Sequence, residues 1–504
     1  MAGNFRAAFR LLALAALLLG AGGQPAGEEY YFGIELNGVL CGYARIVVSP
    51  LAAGGRQLVR LEHEMVVRGT LLGAPVDNRM LFTYHLEPST KRFVYHDSSI
   101  TAGQTRLTSF IRIDGRTAYV SESPGGPEKA VDLPPDAVLD NALFHQHLLA
   151  DFGRGHAERK SYGVFDGREG ALREVTYTRK GAERLELAGR VFDTVVLDVA
   201  ERRTAVNVTA WLDTRTGIIV QIRQPGNIRS YLATSDVVQT VMQAGRRIDL
   251  DSTVLYKTNV AIQNVRAISF MKVSVAMRPF GLALTPEALT VNGQRFSGAV
   301  KDNLVEGVFE IEHPRYDGRK APPFPPQFGA DPALREYLAA DGYIQSDDRV
   351  LREKAREITA GARDSWDAVR RLSRWVTTEI KGAIPGGITA RGTYDQRAGE
   401  CGGHSFLLAA FSRSVGIPAR AVWGCLYVPQ NGGAFGRHAW NEVYMGENGW
   451  IPLDTTAGEP DYVDSGHVRL GVVQSMSSGI DVRRIEVLEH RTSKPGGPKP
   501  GERW

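Results

Sequence analysis

Cysteine is scarce in this chain: its 504 residues hold three, Cys41, Cys401 and Cys425. So few are no disulfide framework, and any internal pairing leaves one thiol over. An excess of one charge is missing too. Sixty Lys and Arg face 56 Asp and Glu, a formal net charge of +4, and no basic cluster stands out in the interior. That excludes the electrostatic footprint of a nucleic-acid binder. Beyond the N-terminal stretch no apolar run is long enough to cross a bilayer as a helix, and no low-complexity tract or solenoid period is visible. What remains is ordinary globular composition, 43% hydrophobic and 23% charged, in a chain long enough for roughly two to four domains.

At the N-terminus, Arg6 and Arg10 precede a short apolar core from Leu11 to Leu19, and small residues follow from Gly20 to Ala26. That order predicts a secretory signal peptide over residues 1–26. The protein is then exported, periplasmic or extracellular, or membrane-tethered where the segment is retained. An exported chain meets oxidising conditions, in which a free thiol is a liability unless it has a use.

Residues 28–247 alternate repeatedly between apolar and polar, which predicts a β-rich accessory domain. Asn37-Gly38 and Thr214–Gly217 read as hairpin turns. Pro134–Phe152 reads as a helical interruption; its His145 and His147, two apart, cannot share a helix face. Residues 248–312 predict a second small β module with a turn at Asn292-Gly293. "HPRYDGRKAPPFPPQFGADP" is rich in Pro and Gly, so residues 313–333 read as a linker with the main boundary near Lys320. Past it the apolar period lengthens from two to about three and a half. Ser346 caps a predicted helix that stops at Gly361, and Asp364 or Ser365 caps the next. Trp366, Val369, Leu372, Val376 and Ile380 fall on one face of that helix. Residues 334–490 form the predicted α+β domain, and the patternless tail 491–504 is expected to be disordered. The fold class is therefore multidomain α+β, with β-rich modules in the N-terminal half.

Within "ECGGHSFLLAAFSRSVGIPAR", every residue from Phe406 to Phe411 is apolar, and Gly416 with Pro418 ends the run. This predicts a buried helix with Cys401 in its first turn. Unpaired N–H groups and the helix dipole stabilise a thiolate there, and the thiolate is the nucleophile. A cysteine in that place alone also suits a structural role. The downstream sequence adds to it. "GRHAWNEVYM" alternates as a strand, "GENG" turns the chain, and "WIPLDTT" returns as a partner strand. Such a hairpin brings Asp454 near His438. Cys401, His438 and Asp454 thus supply a nucleophile, a base and an acceptor that orients the base.

These stretches, "GECGGHSFLLAAFSRSVGIPARAV", "RHAWNEVY" and "GWIPLDTT", closely resemble the three motifs of the transglutaminase-like superfamily in identity, order and spacing. The resemblance covers residues 334–460. It implies a papain-like fold, with a cysteine-bearing helix packed on an antiparallel sheet that carries histidine and aspartate. It also implies cysteine-dependent acyl transfer on a peptide or protein amide: proteolysis, deamidation or transamidation. By position Cys401 is the nucleophile, His438 the base and Asp454 the orienter. The Cys401 backbone N–H is one expected oxyanion donor, with Gln396 or Tyr394 as candidates for a second. His404, one turn past Cys401, is expected either to touch the site or to serve packing. Arg420 reads as a buried structural partner, Trp440 and Trp450 as cleft wall or core, and Cys425 and Cys41 as inert strand residues. No second ligand pair accompanies Cys401 and His404 at zinc spacing. The acidic loops of the calcium-dependent members are missing as well, so no metal or cofactor is expected. The β-rich half is expected to bind substrate or envelope components. The alternative is a non-catalytic envelope scaffold that keeps this fold, although a scaffold has no need of all three reactive residues.

Overall fold

The computed structural model describes residues 28–493 apart from 72–73, 91, 103–104, 122, 140–146, 167–170, 202–206, 225–226, 281–283, 314, 330, 388 and 474–478. The expected signal peptide, His145 and residues 494–504 of the tail lie outside the described residues. Contacts divide the chain into two compact units between Thr253 and Val254.

In the first unit, fifteen strands, from β1 (Glu28–Leu36) to β15 (Ile228–Ala233), form one continuous sheet. The first and last strands pair antiparallel in the middle, and the others follow outward in chain order on each flank. Asn37 and Gly38 both take positive φ, +50° and +79°. That is the backbone a two-residue hairpin needs, and it supports the predicted turn between β1 and β2 (Val39–Ala53). Helix α1 (Asp236–Ala244) sets Val237 and Val241 against Tyr43 and Val66. The helix expected over Pro134–Phe152 does not begin at its N-terminal end. Val138–Leu139 pairs as a short strand, residues 147–153 are helical, and residues 140–146 between them lie outside the described residues. Two prolines at its head leave backbone that cannot donate, and an adjacent strand edge takes up the next residues.

The second unit starts with the stretch expected to be a separate small module. Its strands are β16 (Leu255–Lys257), β17 (Ile268–Phe280), β18 (Gln294–Lys301) and β19 (Leu304–Ile311). β17 pairs with β19 on one side and with β26 (Gly479–Thr492) on the other. Met271, Val273, Val275 and Met277 on β17 are fully buried in a core shared with Trp423, Phe435 and Leu470. So the boundary expected near Lys320 falls inside one compact unit. The Pro/Gly-rich segment is pinned to that unit: Ser365 N–H donates to the Pro322 carbonyl at 2.9 Å and its Oγ to the Pro323 carbonyl at 2.8 Å. β26 also carries ordered pairing into Arg491 and Thr492, the start of the segment expected to be disordered.

Helix α2 (Arg349–Thr359) is capped by Asp348, not Ser346; its Oδ1 accepts from Val350 and Leu351 N–H at 2.9 and 3.1 Å. An ionised cap also complements the helix dipole, which a hydroxyl does not. Helix α3 (Ser365–Glu379) has the expected cap, Asp364, which accepts from Asp367 N–H at 2.7 Å. Its predicted apolar face is buried. Helix α4 (Ala390–Gln396) leads into α5 (Cys401–Ser414), which is buried from Cys401 through Arg413. A helix with no wet face has to be enclosed. Here α2, α3 and α4 surround it together with two strands, β22 (Ala419–Val428) and β23 (Ala434–Tyr444). These strands belong to a sheet ordered β16, β23, β22, β25 (His467–Val472), with β24 (Trp450–Leu453) beside β23.

Candidate active site

Arg397 takes a left-handed turn (φ +51°) after α4, and Glu400 is extended before α5. The chain therefore enters α5 abruptly at Cys401. Gly403 lets this first turn seat closely: a Cβ there would lie 2.4 Å from the Gly387 carbonyl oxygen. The sulfur sits where unpaired N–H groups converge. Its neighbour is His438, which stands opposite Gly424 in the β22–β23 ladder. The Cys401 and His438 side chains are hydrogen-bonded.

Asp454 follows directly on β24, whose Leu453 pairs with Asn441. It is fully buried, and its Oδ2 accepts from His438 Nε2–H at 2.5 Å. With Nε2 taken by Asp454, Nδ1 is the ring nitrogen left to face the sulfur. The carboxylate is held from behind as well. Oδ1 accepts from Thr456 and Ala457 N–H at 2.9 and 3.0 Å, and the Asp454 backbone exchanges two hydrogen bonds with Glu459.

The electrostatics follow from burial set against pairing. Burial favours neutral forms, yet the His438 charge and hydrogen bond hold Asp454 well below the usual carboxylate range. Burial likewise opposes a charged His438, but Asp454, helped by Cys401, raises it to about 9. Burial resists ionisation of Cys401, while His438 favours it by hydrogen bond and charge. Cys425 and Cys41 have no imidazole partner, and burial pushes both up to about 12. Thus the three residues expected to work together meet in one place, while burial disfavours the thiolate of the other two cysteines.

The remaining expected residues divide. Tyr394 stacks on Trp375 at 5.9 Å and meets Phe411 edge-on at 6.2 Å. Phe411 lies ten residues along α5 from Cys401, about 15 Å of helix, so Tyr394 serves the core and is not an oxyanion donor. Gln396 is exposed at the end of α4. His404 is buried, its Nδ1 and Nε2 lying 3.0 and 3.2 Å from the Glu400 and Ile380 carbonyls, and it ties α5 to the end of α3. Arg420 is a structural partner as expected: its Nε donates to Glu442 at 2.7 Å, and its guanidinium lies 3.9 Å over the Trp450 ring. Arg469 reaches Glu442 from the other side at 2.6 Å. Trp440 fills the space behind the site, edge-on to the His467 ring at 5.1 Å.

His467 was not singled out from the sequence. It is fully buried on β25, and its Nε2–H donates to Asp454 Oδ2 at 3.1 Å. Its Nδ1 lies 3.1 Å from the Asp464 carbonyl and 3.4 Å from the Asp464 carboxylate. β25 pairs with β22 and not with the hairpin bearing His438 and Asp454, so no local spacing announced this contact. Its only sequence trace is a histidine opening a short strand, His467–Val472, after three nearby carboxylates, Glu459, Asp461 and Asp464.

Two overlapping sets, His438 with Asp454 and His467, and Glu459 with Asp464 and His467, bring three donor atoms within 4.8 Å of one another. A divalent ion could use such spacing. The imidazole contacts are instead closed by N–H···O hydrogen bonds, and an ion there would need rings stripped of those protons.

Residues 352–455 match the family model of the transglutaminase-like superfamily. The C-terminal part of this chain is transglutaminase-like, and β-rich structure precedes it. Among solved structures, a proposed cysteine protease from Cytophaga hutchinsonii is 19% identical, over 45% of this chain and 89% of that one, with a TM-score of 0.33. A β-barrel-like protein from Brucella abortus, of a domain of unknown function, is 10% identical over 42% and 96%, with a TM-score of 0.32. The periplasmic domain of TgpA from Pseudomonas aeruginosa, bound to ethylmercury, is 16% identical over 40% and 87%, with a TM-score of 0.25. No curated protein matches.

Proposed function

We propose that this protein is an exported cysteine-dependent acyl-transfer enzyme acting on peptide or protein amides, of peptidase, deamidase or transglutaminase type. The observation that carries this reading is the hydrogen-bonded line from Cys401 through His438 to Asp454, with a helix N-terminus at one end and a fully buried carboxylate at the other.

In this mechanism the Cys401 thiolate attacks the amide carbonyl carbon while His438 carries the proton as imidazolium. The carbonyl π electrons move onto oxygen, where the Cys401 N–H in the first turn of α5 stabilises the oxyanion; Gln396 remains the candidate for a second donor. Collapse breaks the C–N bond, His438 protonates the leaving amine, and a thioester remains on Cys401. His438 then takes a proton from water or an acceptor amine as that nucleophile attacks the thioester, and Cys401 leaves as thiolate. Asp454 orients the ring and steadies its charge throughout. Export rests on the N-terminal pattern, and the β-rich unit is read as a module for substrate or envelope components.

The test is mass spectrometry of envelope proteins incubated with wild type or Cys401→Ala. Cleaved termini, deamidated glutamines or isopeptide links, present only with wild type, support the reading and name its type. If no modification depends on Cys401, and iodoacetamide labels it no faster than an ordinary thiol at neutral pH, the domain is a scaffold.

A further inference from the structure

We infer that His467 is a positioning residue of the same site: an imidazolium that shares one oxygen of Asp454 with His438 and so tunes how tightly His438 holds its proton. The inference rests on the acyl-transfer reading and adds a fourth, unexpected member to its proton network.

The protonation of His467 follows first from geometry. Both ring nitrogens face oxygens that can only accept, Asp454 Oδ2 on one side and the Asp464 carbonyl and carboxylate on the other. Each nitrogen must therefore carry a hydrogen. The groups packed around it agree. Asp464 and Asp454 are both held below the ordinary carboxylate range despite burial. Glu459, in the loop after β24, is pushed well up by burial and by Asp464, and keeps its proton. His313, from the segment after β19, is lowered to about 4 by burial and by the His467 charge, so it stays neutral. Arg469 on the same strand is committed to Glu442. The buried line then alternates in sign: Asp464 negative, His467 positive, Asp454 negative, His438 positive.

Alternation has a consequence for the base. Asp454 alone would hold the His438 proton tightly, and too basic an imidazole releases its proton slowly to a leaving amine. A second cation sharing Oδ2, with its ring centroid 5.9 Å from that of His438, draws off part of that pull. At an effective dielectric of roughly 20–40, one unit charge at this distance corresponds to a shift of about one to two pH units. His467 also fixes the Asp454 carboxylate from the side opposite the Thr456 and Ala457 N–H groups, so that Oδ2 stays aimed at both rings.

The experiment alkylates Cys401 of the full chain with iodoacetate and with iodoacetamide, reagents of similar size that differ in charge, from pH 6 to 11.5. The ratio of the two rates reports the positive charge on His438. In wild type the ratio steps down near pH 9, and His438→Ala abolishes the step. In His467→Gln, whose amide can still donate to Asp454, the step is expected about one to two units higher. A step that His438→Ala abolishes but His467→Gln leaves in place overturns the inference alone. A wild-type ratio that is flat with pH and indifferent to His438→Ala overturns the acyl-transfer reading and this inference with it. Should His467→Gln fail to fold, ¹⁵N-histidine NMR of the His438→Ala protein decides. A ring with both nitrogens protonated at pH 8 and hydrogen-bonded to carboxylate supports the inference, and its absence overturns it.

Discussion

Cutting the chain at the Pro/Gly-rich segment should destroy the transglutaminase-like domain. A fragment of residues 322–504 keeps all three family motifs but loses β17, β18 and β19. Twelve buried apolar side chains between Ile262 and Ile311 share one core with eleven residues from Cys401 to Val487. Removing the first group uncovers the second, including Trp423, Phe435 and Leu470. If each remaining side chain loses about half its burial, the loss is roughly 10 kcal/mol at the usual worth of a buried apolar residue. That equals the whole stability of a typical domain, about 5–15 kcal/mol. β26 would also lose its ladder with β17 and become a long bare edge. Fragments 254–504 and 322–504 should be compared by solubility, near-UV circular dichroism and thermal unfolding. The longer fragment is expected to melt cooperatively, and the shorter to aggregate or show no cooperative transition. A soluble 322–504 fragment melting within a few degrees of the longer one would refute the reasoning.

Other outcomes follow from the site and its support. Asp454→Asn removes the charge that keeps His438 protonated, so turnover at pH 7 should fall on the order of 10²–10⁴-fold with Cys401 still titratable by a thiol reagent; an unchanged rate would remove Asp454 from the mechanism. His438 is more basic folded than free. Its contribution to stability is therefore full below its ordinary value of 6.5 and lost as pH rises through about 9. The urea midpoint should drop across that window in wild type, and drop less in His438→Ala. Glu442→Ala leaves Arg420 and Arg469 facing each other without their carboxylate, which should cost about 3–5 kcal/mol in chemical denaturation. Gly424→Ala would place a Cβ 1.9 Å from the Val468 carbonyl oxygen. It should destabilise by about 2 kcal/mol or more, and a melting temperature equal to wild type would show that β25 moves freely.

Residues 28–253 and the helices show how far local chemistry carries. Period-two alternation and positive-φ turns such as Asn37-Gly38 were legible because each is decided within a few residues. The apolar face of α3 was legible for the same reason, and its cap at Asp364 too. So was the position of Cys401, since an all-apolar run preceded by glycines can only begin a buried helix there. A hairpin couples His438 to Asp454 across 16 residues, so their meeting could be read from strand alternation and one turn.

What tertiary structure alone decided lies in pairings between distant strands. Nothing in "AISFMKVSVAM" says that its partner is the strand some 200 residues later, because an amphipathic strand offers the same edge to any complement of suitable length. That pairing made one unit of what looked like a module, a linker and a domain. Tyr394 went to the core because Trp375 and Phe411 offer its ring a stacking site, a choice that depends on how α3, α4 and α5 cross. His467 reached Asp454 because β25 docks on β22, away from the hairpin that local patterning describes. By itself the sequence determined the elements and the chemistry of the reactive residues, both set by short-range backbone and side-chain preferences. The fold decided which buried charges neutralise one another, since an ion pair needs proximity in space and proximity along the chain does not supply it.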